Sequence, residues 1–345
     1  MRRMLLALLV VQMALPAAWG WGAEVHRTIT YLALDGLGAR GPAWLNDPNS
    51  RARAAFQSNQ PDRWRGSDSS VLKHENDPEH YLDVEDLAQF GLTLDTLPKL
   101  RREYLRAMVV AKTAHPDQVE PYDPNSDPAR AREWPGFVLH AVAEDYAKLQ
   151  AAFQQVRILE KLDDPSRQPE LEQARAIALY HLGDLSHFVA DIAQPLHTTK
   201  HFNGWVGENP ANYKWGDHFH SFVDSGLSAR HKLDYAALKP LVKYETRVNS
   251  ADPWPAVLEY LKRSHAKVES LYALERDGRL DAEEGRALAV ERLADAAAML
   301  AALTEAAYTS AAPTEKQIES WLRYEPHDTV WQESAGAATR PASPP

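Results

Sequence analysis

None of the 345 residues is cysteine. That absence excludes disulfides and every thiolate zinc site, so any metal must be held by His, Asp and Glu. Basic residues are also in deficit: 38 Lys and Arg stand against 48 Asp and Glu, a formal charge of -10. Broad electrostatic binding to nucleic acid is disfavoured, and an anionic substrate would have to be drawn in locally by metal and a few Arg or Lys. After the N-terminus no apolar run is long enough to span a bilayer. Neither a fixed-period repeat, nor a heptad series, nor strand-like alternation occurs.

What is present begins with residues 1–20, MRRMLLALLVVQMALPAAWG. Arg2 and Arg3, the apolar run 5–15 and the small-x-small ending Ala18-Trp19-Gly20 read as a signal peptide. The expected product is a soluble exported protein, periplasmic or secreted, with no transmembrane segment after processing. Cleavage after Gly20 leaves Trp21 with a free α-amine, whose pKa of about 8 lets it act as a metal ligand. His26 follows five residues on. The expected domain covers 21–326, and the Ala-, Ser-, Thr- and Pro-rich tail 327–345 reads as disordered.

Apolar residues recur at three and four positions, which predicts an all-α fold, a single compact multi-helix domain. Helices are expected at 24–34, 44–57, 97–112, 136–162, 171–193, 215–228, 254–277, 281–310 and 314–322. The proline-rich stretch 115–135 reads as a surface loop. The 171–193 segment is mostly apolar all round, so it should be central and buried.

That segment leads into HFVADIAQPLH, where His187 and Asp191 lie one helical turn apart and His197 follows Pro195. His220 and Asp224 in HSFVDSG repeat the spacing. Imidazole and carboxylate on one helix face can hold zinc. Burying several ionisable groups is costly, which makes metal the reason for placing two such pairs and His197 within forty residues.

Taken together these elements resemble the superfamily that joins zinc-dependent phospholipase C to the fungal S-one/P-one single-strand nucleases. Trp21 and His26 match its N-terminal pair, Asp62 and Arg65 in PDRWR its Asp-x2-Arg, and His80, Tyr81 and Asp83 in HYLD its His-aromatic-x-Asp. His187, Asp191 and His197 match the His-x3-Asp-x5-His element, and His220 with Asp224 the final His-x3-Asp.

The resemblance implies a trinuclear zinc cleft, three ions per chain. Asp62, His80, His187 and Asp191 hold one ion, Asp191 bridges to another held by Trp21 and His26, and His197, His220 and Asp224 hold the third. It further implies hydrolysis of phosphodiesters in single-stranded DNA or RNA by zinc-activated hydroxide, with 3′-nucleotidase activity a related possibility. Asp62 and Arg65 are the implied catalytic pair, and Tyr81 and Asp83 the implied base-binding contacts. No stable protein partner is implied.

The alternatives are a phospholipase C acting on lipid head groups and a non-catalytic zinc-binding envelope protein. Asp rather than Glu at 224 favours the nuclease branch. The chain departs from that branch in its longer stretch between Asp83 and His187, its altered TTKHFNGWVGENP and its lack of disulfides. His181 and Asp184 read as buried partners of the ligands. Lys73, His74, Glu75, His201, Trp205 and His218 read as loop residues near the cleft.

Overall fold

A computed structural model describes residues 22–213 and 218–325. Trp21, the signal-peptide segment, residues 215–217 of the expected helix at 215–228, and the tail 327–345 lie outside the described residues. The chain runs through Ala23–Leu37 (α1), Pro48–Gln57 (α2), Gln60–Arg65 (α3), Ser70–Asn76 (α4) and Arg101–Ala114 (α5). Val138–Leu162 (α6) and Gln168–Ala193 (α7) follow, then the short helices Phe219–Ser221 (α8), Leu227–Arg230 (α9) and Tyr235–Leu238 (α10). Trp254–His265 (α11), Val268–Arg276 (α12), Glu283–Ser310 (α13) and Glu315–Tyr324 (α14) complete it. Among the described residues there is no β-strand, only the isolated bridges Leu82–Gly136 and Phe202–Gly204. The fold is a compact all-α one.

Local chemistry explains where the helices differ from the sequence expectation. Proline suits the first helical position, so α2 starts at Pro48, and the Asp47 side chain caps it by accepting from the Ser50 amide at 3.0 Å. Pro98 likewise disfavours helix in the residue before it, and α5 begins only at Arg101. The segment expected as one helix at 254–277 is two, α11 and α12, separated at Ala266 and Lys267. α3 and α4, too short to show a periodic pattern, were not expected.

α7 is the central element, packed against α6, α2, α13 and α1. Every residue from 182 to 199 is buried, which places His187, Asp191 and His197 inside the protein rather than on its surface. The Ala-rich α13 lets α1 and α7 approach closely, and nearly all the apolar core is one contiguous cluster from Val25 to Ala311. α11 secures the end of α7: Tyr260 donates to the Val189 carbonyl at 2.8 Å and Ser264 to the Ala193 carbonyl at 3.0 Å. The last of these satisfies a carbonyl left over at the helix terminus. Among the described residues no helix is long and apolar enough to cross a membrane.

Candidate metal centre

Five segments bring their ligand-type side chains to one place beside α7. His26 comes from α1 and is fully buried, with its ring stacked on His187 at 4.2 Å. Ser186 next to His187 hydrogen-bonds Thr30 at 2.7 Å, which locks α1 to α7 at this level. Asp62 and Arg65 lie one turn apart on α3, and His80 ends the 3-10 turn Asp77–His80. His187 and Asp191 share one face of α7, and His197 lies in the turn Pro195–Thr198. His220 of α8 and Asp224 of the π-helical turn Phe222–Gly226 complete the set.

Ligand atoms meet within 4.8 Å of one another in three groups: His26/Asp62/His187, His80/His187/Asp191 and His197/His220/Asp224. The last coincides with one of the sets implied by the resemblance. The other two lie side by side and share His187. Asp191, a member of the second, also approaches the first, with Oδ1 3.6 Å from His26 Nε2 and Oδ2 3.3 Å from His187 Nε2. His80 Nε2 lies 3.7 Å from Asp62 Oδ1. Gly22, the first described residue, donates its amide to the Asp224 carbonyl at 3.0 Å, so the chain enters this cluster from its N-terminal end.

The hydrogen bonds of the imidazoles decide which nitrogen faces inward. Nδ1 of His80 meets the Asn76 carbonyl at 2.9 Å, that of His187 the Ser58 carbonyl at 2.8 Å, that of His197 the His80 carbonyl at 2.6 Å and that of His220 the Phe202 carbonyl at 3.2 Å. A carbonyl only accepts, so each Nδ1 carries the proton and each Nε2 presents a lone pair. The Nε2 atoms of His197 and His220 then face each other at 3.2 Å with no proton between them. Two lone pairs at that distance repel unless a cation lies between. The spacing matches the ~3.3 Å edge of a tetrahedron with zinc–nitrogen bonds of about 2.05 Å.

Electrostatics support the same fit. Burial lowers the pKa of His26, His80 and His220 well below the ordinary range and that of His187 and His197 to about 3, so all five imidazoles are neutral. Burial also raises the carboxyls of Asp191 and Asp224 well above theirs. In Asp191 both oxygens, and in Asp224 Oδ2, are buried without a hydrogen-bond partner. Gln194 steadies the other oxygen of Asp224 from 2.7 Å. Neutral imidazoles and carboxyl oxygens without partners form a nitrogen and oxygen donor set that could hold a divalent metal ion. Metal binding is therefore compatible with these clusters.

Arg65 reaches toward Asp62 at 3.7 Å and Asp77 at 3.9 Å, and it lines a small cavity of about 30 Å³ with His80, His197 and His220. Asp83 lines the same cavity, and burial pushes its carboxyl up to about 7. Tyr81 is 9% exposed, and its hydroxyl donates to the Ala131 carbonyl at 2.9 Å. The Arg132 guanidinium lies over its ring, so a stacked base would have to displace that group. His201 stacks on Trp205 at 4.0 Å, Asp184 accepts from Gln57 at 3.0 Å and His74 meets the Ala129 carbonyl at 2.9 Å.

Sequence reasoning missed Gln194 and Arg132. The first had a signal, as the residue preceding Pro195 at the end of α7. The second had none, because nothing local says which side chain of a long loop lands at a distant cleft.

The loop 115–135 is stitched to the ligand-bearing strip 78–83. The Phe137 amide donates to the Pro78 carbonyl and the Asp83 amide to the Pro135 carbonyl, both at 2.7 Å. Gly136 sits at φ +112°, where a Cβ would lie 2.2 Å from the Tyr81 carbonyl oxygen. Gly136→Ala combines a strained conformation with a backbone clash and is expected to cost roughly 2–4 kcal/mol. The midpoint of urea unfolding checks it, and an unchanged midpoint would mean the loop is not held at this point.

A scan of the chain against protein-family models finds no match, and no curated protein matches it significantly.

Proposed function

We propose that this chain is an exported, zinc-dependent phosphodiesterase that hydrolyses single-stranded DNA or RNA. The observation that carries the reading is the convergence of three adjoining His/Asp groups in the buried heart of the fold. Cleavage after Gly20 would add the Trp21 amine just before the amide anchored to Asp224. Bound zinc supplies Lewis acidity toward phosphoryl oxygens and lowers the pKa of a coordinated water toward neutrality.

The chain's own residues then have distinct work. Four of the five imidazoles, those of His80, His187, His197 and His220, are each fixed by a carbonyl behind them and hold their donors in place, so little reorganisation accompanies substrate binding. Asp62 stands between the first two ligand groups and Arg65 and can orient a water toward phosphorus. Arg65, 18% exposed at the cavity wall, offers a planar fork to non-bridging oxygens and offsets the charge they gain. An unaccompanied zinc-storage protein would not need such a group.

The test uses mature protein loaded with zinc, its metal content measured by mass spectrometry and its hydrolysis followed on single-stranded oligonucleotide and on phosphatidylcholine vesicles. Oligonucleotide cleavage abolished by chelator is the expected result. Lipid hydrolysis without oligonucleotide cleavage would replace the reading with phospholipase C, and no hydrolysis of either would refute it. Arg65→Ala should keep its zinc and lose turnover by roughly 10²-fold, the usual scale for one charged transition-state contact.

A further inference from the structure

We propose that Arg132 is a specificity-determining residue: it forms, with Arg65, a second anion-binding wall of the cleft and directs it toward terminal, doubly charged phosphate groups. This rests on the phosphoesterase reading above. Arg132 comes from the loop 115–135, yet its guanidinium carbon lies 4.2 Å from the Phe202 ring centroid and 5.0 Å from that of Tyr81. It lines the same cavity as Arg65, His80, His197 and His220.

The placement is built. The Asp127 carboxylate accepts the Arg132 amide at 2.7 Å and the Tyr122 hydroxyl at 2.9 Å, and the Tyr81 hydroxyl holds the neighbouring Ala131 carbonyl. Neighbouring Arg130 pairs with Glu133 at 2.8 Å. Among the described residues Arg132 closes no ion pair within 4.0 Å, and the negative charges that act on it at longer range are those of Asp83 in the same cavity, Asp127 and Asp77.

A guanidinium lying over aromatic rings uses its faces and leaves its in-plane N–H donors for oxygen acceptors. Those donors point to an anion, where an open Tyr81 face would have pointed to a flat ring. A phosphodiester carries one charge over two free oxygens, which Arg65 and bound metal already suffice to meet. A terminal phosphate carries close to two charges over three such oxygens, and the extra oxygen is what a second fork would take.

The experiment titrates inorganic phosphate calorimetrically into zinc-loaded wild type, Arg132→Gln and Arg132→Lys. It also compares kcat/KM for 4-nitrophenyl phosphate and bis-(4-nitrophenyl) phosphate, with a melting curve for each protein. Arg132→Gln should weaken phosphate binding and monoester turnover roughly 10- to 100-fold, the scale of one charge-assisted hydrogen-bonded contact, and change the diester less than about threefold. Arg132→Lys should fall between. Unaltered phosphate affinity in Arg132→Gln, no phosphate binding by the wild type, or equal losses on both esters would overturn the assignment. So would parallel falls in melting temperature and affinity in both variants, which mark a packing role. If neither ester is hydrolysed by any form, the proposed function fails while the phosphate titration still judges Arg132.

Discussion

Saturating zinc is expected to raise the melting temperature of the metal-free protein by on the order of 10 °C for each site it fills. A ligand that binds only the native state at a thousand times its Kd contributes about 4 kcal/mol per site, and each kcal/mol moves a chain of this size by roughly 2 °C. The ligands come from five separated segments, so an unfolded chain offers no comparable site. In the metal-free protein the same groups oppose folding, since Asp191 and Asp224 are buried with unpartnered oxygens. Scanning calorimetry with zinc and with chelator measures the difference. Superimposable curves would show that these clusters do not bind metal with useful affinity, and the proposed function would go with them.

Asp191→Asn should separate stability from function. Its two carboxylate oxygens face two imidazoles, Oδ1 3.6 Å from His26 and Oδ2 3.3 Å from His187, the position expected of a bridging ligand. The amide keeps the shape, removes the charge and presents one acceptor in place of two, so metal content should fall. Turnover should fall by about 10³-fold or more, which corresponds to roughly 4 kcal/mol of lost transition-state stabilisation. Without metal the sign reverses. Removing a carboxylate that burial has driven well above its ordinary pKa relieves an uncompensated cost, so the metal-free variant should melt no lower than metal-free wild type. Metal analysis, kinetics and paired melting curves decide it. Full metal content with full turnover would exclude a bridging role for Asp191.

The helical character of the chain, the burial of the 171–193 segment from Leu182 onward (its first half leaves Ile177 and Tyr180 exposed) and the pairing of His187 with Asp191 and His220 with Asp224 were legible from spacing alone. They follow from the 3.6-residue period, which acts over distances that the sequence itself records. His197 was legible as well, because Pro195 ends α7 and turns the chain. Position 62 was harder to place. α3 holds only Gln60–Arg65, less than two turns, and gives no periodic signal. Its helical form depends on packing against α7 and α4.

Sequence by itself therefore determined the all-α class, the absence of thiol chemistry and which His and Asp side chains could serve as nitrogen and oxygen donors. Tertiary structure alone decided how those donors group, because the 3.2 Å approach of His197 to His220 and the seat of Asp191 between His26 and His187 join segments far apart in the chain. It alone also decided that Arg132 covers Tyr81. The physical reason is the same in each case. Helical period and capping are local and written in neighbouring residues, whereas the meeting of distant side chains is set by how helices pack, and packing is decided by the whole core at once.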